Sequence, residues 1–338
     1  MIDLRSDTVT LPTRRMREAI LSAPLGDDVF GEDETVNRLE EIAASKTGFE
    51  SAMLVTSGTQ ANITSVLTHT RRGDELICEA ESHMYFYEVG GISVLAGVMP
   101  HTVAGEKGIL DPSAVEKAIR PKNIHMPPTT LICIENTHNR AGGTITSPER
   151  IAELKEVAER HDCRLYMDGA RIFNAAVATG RDVQEFSRHT DSMMFCLSKG
   201  LSAPVGSLVC GSKDFVLRAR KYRKMLGGAM RQAGIIAACG IVALEEMVPR
   251  LAEDHANARL LAHGIHDLGY RIELDRVQTN IVVFDVSPMT SQEFIPKLER
   301  EGVKCVQFGE KTVRMVTHYG IEEKDIRRAL EALEKVRQ

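Results

Sequence analysis

TLICIENTHNRAGGTITSPERIAELKEVAERHDCRLYMD, residues 130–168, reads as strand, helix, strand. Its two ends, TLICIEN (130–136) and RLYMD (164–168), are short apolar runs bounded by polar residues, the pattern of strands buried on both faces. Between them, 148–160 opens on Pro148, whose fixed φ suits a first helical position. It sets Ile151, Leu154, Val157 and Ala158 on one stripe. The same alternation extends to either side. AMLVT (52–56), ELICEA (75–80), SVLAGVM (93–99), SMMFCLS (192–198) and GSLVCG (206–211) are further strand candidates, and a helix is expected to begin near Thr59. Strands alternating with helices over this length predict an α/β domain with a mostly parallel sheet.

The pattern changes after about residue 245. A segment rich in Ala, Leu and Glu (235–268) runs into YRIEL, TNIVVFDV, a helix over 291–301, VKCVQF, TVRMVTHYG and a closing helix 322–337. That last helix carries Ile326, Leu330, Leu333 and Val336 on one face, and the whole reads as a small C-terminal α+β unit. The expected division is an N-terminal segment 1–25, a large domain 26–245 and a small domain 246–338, linked through the long helical segment.

Composition narrows the function. With 43% hydrophobic and 26% charged residues in 338, the chain has the means to bury a core and is not a disordered sequence. The net charge of −5, without a long basic block, argues against a nucleic-acid partner. The seven cysteines are odd in number and include no C-x-x-C pair, which predicts reduced, buried thiols and neither a disulfide frame nor a metal site. The start MIDLRSDTVT shows no secretory pattern, and no apolar run approaches the roughly 20 residues that span a bilayer. A cytoplasmic protein without a membrane partner is expected.

In a sheet of this kind ligands bind beyond the carboxyl ends of the strands. Three sets of residues stand there. Thr56-Ser57-Gly58-Thr59 leads from a strand into a helix, offering small residues, hydroxyls and free N–H groups to a phosphate. It is neither a Walker loop nor a G-x-G-x-x-G turn. Asp168 closes RLYMD, and Lys199 follows SMMFCLS. Taken singly, these have ordinary explanations: a capped turn, an N-cap or metal-ligand aspartate, a lysine reaching for water. Together, in this order, they suit pyridoxal 5′-phosphate: a cup for its phosphate, a carboxylate for its pyridine nitrogen, and a lysine for a Schiff base with its aldehyde.

With those residues in place, the sequence resembles the low-specificity L-threonine aldolases, pyridoxal-phosphate enzymes of the aspartate-aminotransferase-like fold (fold type I). The likeness is densest in DLRSDTVTLPT (3–13), GDDVFGEDETVNRLE (26–40), TSGTQAN (56–62), ESHMYFYE (81–88), DGARIFNAA (168–176) and CLSKGLSAPVGS (196–207). The resemblance implies cleavage of L-threonine or L-allo-threonine to glycine and acetaldehyde. It assigns Lys199 to the Schiff base, Asp168 to the pyridine nitrogen, Ser57, Gly58 and Thr59 to the phosphate, and His83 to the face of the cofactor ring. Arg171 and Arg314 are its candidates for the substrate carboxylate, which needs a fork of donors, with Ser6 adding a hydroxyl; Arg171 is also expected beside the cofactor. His125 corresponds to the family's histidine beside the substrate hydroxyl, and Tyr87 is a further substrate contact. His83, His125 and an ordered water all remain open as the base. Lys224 and Arg231 are expected to reach a neighbouring subunit's phosphate, which implies a homo-oligomer, a dimer of dimers with shared active sites. Phe30 stands where many members carry tyrosine, so no hydroxyl contact is expected from it. Two other kinds of function stay in view: another fold-type-I enzyme, such as a β-eliminating lyase or aminotransferase, and a non-catalytic binding protein of the same fold.

Overall fold

The computed structural model describes residues 1–337. A two-residue strand, β1 (Ile2–Asp3), opens the chain. Next come β2 (Ser51–Val55), β3 (Glu75–Glu79), β4 (Met99–Val103), β5 (Thr129–Glu135), β6 (Arg164–Asp168), β7 (Ser192–Cys196) and β8 (Ser207–Gly211). The C-terminal part holds β9 (Arg271–Ile272), β10 (Ile281–Asp285), β11 (Val303–Lys304), β12 (Val306–Gln307) and β13 (Thr312–Val316).

A seven-stranded sheet in the order β2-β8-β7-β6-β5-β3-β4 forms the large body, and a four-stranded sheet, β12-β13-β10-β9, forms the small one. In the large sheet only β8 runs against its neighbours; the other pairings are parallel. Alternate residues feed two cores. Ile132, Ile134, Leu165, Met167, Met193 and Phe195 pack on one face, against helices that include Glu34–Thr47 and Pro148–Arg160. Leu131, Cys133, Tyr166, Met194 and Cys196 pack on the other, against the helices Gly58–His69 and Lys213–Met225. Burial on both faces is why these strands read as unbroken apolar runs. The small sheet buries Val282, Phe284, Val313 and Met315 under the helices Leu251–Asp267, Ser291–Arg300 and Glu323–Arg337.

The helix 148–160 lies where its stripe predicted it, capped by Ser147 Oγ accepting from the Arg150 amide. Four expectations change. The run 93–99 is not a strand: Gly91–Val94 is helical, and the chain pairs only from Met99 onward. That strand, β4, is the sheet edge, so its sequence MPHTV tolerates Pro100 and polar side chains and lacks the buried-strand signal. The segment 235–268 is interrupted: Gly234–Val242 continues as a π-helical turn to Met247, and a new helix starts at Leu251, beyond Pro249, which has no N–H to continue the ladder. YRIEL contributes only Arg271–Ile272 to a strand. VKCVQF divides at Cys305, β11 pairing with β1 and β12 with β13. The first residues are therefore not a free arm: β1 lies parallel to β11, and Leu4 joins the core of the small sheet.

Candidate active site

The parallel strands bring their carboxyl ends to one edge of the large sheet, and the polar residues found there come from five connections. The helix Gly58–His69 starts with Ser57, whose Oγ accepts from the Gln60 amide at 3.2 Å. The amides of Gly58 and Thr59 come before the first intrahelical donor, the Ala61 amide on the Ser57 carbonyl, and Ser57 and Thr59 are exposed, so these donors are open to a ligand. A Cβ at Gly58 would stand 3.0 Å from Met194 Cε and 3.1 Å from Cys196 Sγ; glycine lets the first turn sit close on β7 without displacing either side chain.

One turn on, about 6 Å along the axis, the buried Asn62 donates through Nδ2 to Asp168 Oδ2 and to Glu88 Oε1, each at 2.8 Å. Tyr166, on β6, donates its hydroxyl to Asn62 Oδ1 at 2.7 Å and so fixes which way the amide faces. Asp168 is buried at the end of β6, its other oxygen accepting from the Ala170 amide at 3.0 Å. His83 begins a short helix after β3; its amide donates to Glu135 Oε2 at 2.6 Å, and its Nδ1 meets Glu88 Oε1 at 2.9 Å. Burial works to lower the His83 pKa, but the Glu88 hydrogen bond and the charges of Asp168 and Glu88 prevail, leaving it above the ordinary histidine value. Burial, supported by the charge of Asp168, pushes the Glu88 carboxyl up in spite of the donors on it. Lys199 lies in the loop after β7, half-buried, with its carbonyl held by Thr10 Oγ1 at 3.1 Å. Its charge is felt at both His83 and Asp7.

Asp7 was not singled out in the sequence. Its fully buried carboxylate grips Arg171 through Nε and Nη2, both at 2.7 Å, and accepts from Asn280 Nδ2 at 3.2 Å. Burial alone would raise its pKa; the Arg171 charge and hydrogen bonds hold it well below the usual carboxylate range. The fork of Arg171 is thus already engaged, and Nη1 alone is left without a protein partner among the described residues. Arg314 reaches in from β13. Nη1 donates to Asn139 Oδ1 at 2.8 Å, Nη2 to the Arg5 carbonyl at 3.2 Å, and Nε is buried without a partner among the described residues. Burial and the neighbouring Arg171 charge pull its pKa down, to about 10. Ser6 lies beside Asp7, its Oγ accepting from the Thr8 amide. Tyr87 accepts from Arg140 Nη1 at 2.8 Å and stands with its ring centroid 5.4 Å from that of His83.

Lys199, Asp168, His83, Arg171, Arg314, Ser6, Tyr87 and the cup thus converge. Three expected residues do not join them within one chain. His125 is exposed on the loop that enters β5 from its amino end; Lys122 of that loop pairs with Asp162, just before β6, at 3.4 Å. That is the opposite edge of the sheet from Asp168. Lys224 is exposed at the end of its helix, and Arg231 pairs with Asp27 at 3.2 Å. Glu88, Asn62, Tyr166, Asp7 and Asn280 were missed by sequence reasoning. The available signals were an asparagine one turn into the TSGTQAN helix and an acid in each of DLRSDT and ESHMYFYE.

The sequence profile of the family described as beta-eliminating lyase matches residues 3–288. The chain belongs to this family. Within it, low-specificity L-threonine aldolase 1 of Arabidopsis thaliana is 43% identical over 99% of this chain and 96% of its own length. The low specificity L-threonine aldolase of Escherichia coli strain K12 is 42% identical over 96% of each chain. Among solved structures, Leishmania major threonine aldolase superposes with a TM-score of 0.87, covering 100% of both chains at 19% identity, a likeness of fold. The family's cofactor, pyridoxal 5′-phosphate, fits the residues present. His83, Glu88 and Asp168 bring their polar atoms within 4.8 Å of one another. Asp168 ends β6 as a buried carboxylate with one side-chain donor and one amide on it, and would accept the cofactor's ring N–H as a further donor. The same three residues could surround a cation, but the Asn62 N–H groups aimed at both carboxylates occupy the place a cation needs.

Proposed function

We propose that this chain is a pyridoxal-phosphate-dependent aldehyde-lyase that cleaves L-threonine and L-allo-threonine, and related β-hydroxy-α-amino acids, to glycine and an aldehyde. The observation that carries this is the meeting of the open Gly58 and Thr59 amides, buried Asp168 and half-buried Lys199 at one sheet edge, in a chain 43% identical to a threonine aldolase. When bound, the cofactor supplies the sink for the electron pair of the breaking Cα–Cβ bond.

This chain's residues do the rest. Gly58, Thr59 and Ser57 hold the phosphate at a helix N-terminus, where the dipole and free amides favour an anion. Asp168, pinned by Asn62 and the Ala170 amide, holds the ring nitrogen. Lys199 anchors the aldehyde carbon. Arg314, with its unpaired Nε, and Arg171 Nη1 receive the substrate carboxylate. Gripping it from β13 and from the large body together fixes which bond at Cα stands across the ring, and so selects Cα–Cβ cleavage. The β-hydroxyl must lose its proton as its oxygen becomes the aldehyde oxygen, and His83 Nε2, with no protein partner among the described residues, faces that task.

A homo-oligomer, a dimer of dimers, completes this reading. In this reading the exposed Lys224, Arg231 and His125, none of which joins the site of its own chain, serve neighbouring copies, the first two at the phosphate and His125 beside the substrate hydroxyl. A cytoplasmic location agrees with seven free, buried cysteines; among the described residues no helix is long and apolar enough to cross a membrane. The test is product analysis with both L-threonine diastereomers and L-serine. Equimolar glycine and acetaldehyde from threonine are expected, with borohydride trapping the cofactor on Lys199 and neither product formed by Lys199→Ala. Ammonia release, or a requirement for an amino acceptor, would replace this reading with a β-eliminating lyase or an aminotransferase.

A further inference from the structure

Glu88 belongs to none of the roles above, yet it is built into the floor of the site. Its side chain is fully buried, while its neighbour Val89 is 95% exposed. Oε1 receives two donors, Asn62 Nδ2 at 2.8 Å and His83 Nδ1 at 2.9 Å, and Oε2 is buried with no partner among the described residues. The groups facing the pair are Asp168 and Tyr166 from β6, Asn62 from the cup helix, Glu135 from β5, Lys199 from the loop after β7, and Tyr87, whose ring stands beside that of His83.

Asn62 decides the sense of this network. Because Tyr166 donates to its carbonyl oxygen, its amide nitrogen must face the carboxylates, so Glu88 Oε1 accepts and, as the carboxylate, has no proton of its own to give. The remaining contact then requires His83 to donate from Nδ1. A neutral imidazole carries one N–H, and with that N–H on Nδ1 the lone pair lies on Nε2. Resting on the lyase reading above, we propose that Glu88 is a positioning residue: it holds His83 as the Nδ1–H tautomer, so that Nε2 is the bare nitrogen that takes the β-hydroxyl proton. In that step the substrate O–H bond breaks and an Nε2–H bond forms. The oxygen keeps the electron pair that closes the aldehyde C=O, and Glu88 balances the imidazolium charge. A proton returned from the imidazolium to Cα, directly or through solvent, completes glycine and restores the neutral imidazole. This is the logic by which a buried acid orients the histidine of a hydrolase triad, here on a different fold and a different reaction. Asn62 also joins Glu88 to Asp168, so the residue proposed to hold the cofactor nitrogen and the one that holds the histidine share a single amide.

The experiment uses ¹⁵N-histidine-labelled holoenzyme with His83→Asn to assign the resonance, together with Glu88→Gln and Glu88→Leu. Above its pKa, wild-type His83 is expected to show a protonated Nδ1 and a bare Nε2. In Glu88→Leu the Nε2–H form should dominate, with kcat falling about 10²-fold. Glu88→Gln keeps the acceptor and removes the charge, so the acid limb of the kcat profile should move about one pH unit lower. A wild-type Nε2–H tautomer, or an unmoved acid limb in Glu88→Gln, would overturn the proposal. These two readouts decide it even if Glu88→Leu does not fold. If wild-type enzyme made no glycine or aldehyde the lyase reading would fall, while the tautomer, read without substrate, would still report on Glu88 by itself.

Discussion

Asp7→Asn isolates the buried pair that joins the N-terminal residues to the site. Asp7 has no exposed side-chain surface, Arg171 has 5%, and the two share hydrogen bonds of 2.7 Å. Asparagine keeps the shape and one acceptor but removes the charge, leaving a buried guanidinium beside a second one, Arg314. Breaking a buried ion pair from one side costs about 3–5 kcal/mol. Unfolding entropy of about 2.1 cal/mol/K per residue comes to roughly 0.7 kcal/mol/K for a chain of this length, so the melting temperature should fall by about 4–7 °C. Calorimetry of the holoenzyme measures this, and the decisive arm is a double variant. Adding Arg171→Met to Asp7→Asn removes the stranded charge and should recover more than half of the lost stability, because the cost lies in the unpaired ion. A drop below about 1 °C for the single variant, or a double variant that simply adds the two losses, would refute the account of Asp7 as the counter-charge of the carboxylate site.

Arg314→Lys should raise KM for threonine at least tenfold while leaving cofactor affinity within about twofold, since an ammonium cannot reproduce the guanidinium's several directed donors; equal losses in substrate and cofactor binding would contradict the assignment. Asp254 is fully buried, with Arg250 on one oxygen and nothing on the other, and burial raises its pKa to about 6. A folded pKa above the unfolded one means that its ionisation opposes the fold: wild-type stability from this group declines as pH rises from about 4 to about 6. Asp254→Asn should therefore gain on the wild type over that interval, by up to about 3 kcal/mol, and a melting-temperature difference that is flat from pH 4 to 6.5 would exclude the effect.

What the sequence discloses follows from where each signal is stored. Helix 148–160 and strand β6 are legible because Pro148, a four-residue apolar stripe and a doubly buried run are local facts. Asp168 and Lys199 are legible because each ends such a run. The edge strand β4 is not, since none of its residues is fully buried and Pro100 sits within it. Asn62, Glu88 and Tyr166 take their meaning from one another across 26 and 104 positions, and Asp7 from Arg171 across 164. No window of sequence contains those pairs. His125 shows the converse: its segment reads correctly as a loop, but the end of the sheet on which it falls depends on the direction of β5, which only the assembled sheet defines.

The pairing of β1 with β11 has a consequence for how the molecule is made. Ile2 aligns with Val303, and the Val316 amide donates to the Leu4 carbonyl. Residues 2–4 thus stay unpaired until residues 303–316 have been made. Since Ser6 and Asp7 ride on that same segment, the proposed carboxylate clamp is among the later features to close. A polypeptide not yet made through residue 316 can build its seven-stranded sheet while that clamp, which also draws on Arg314, is still open.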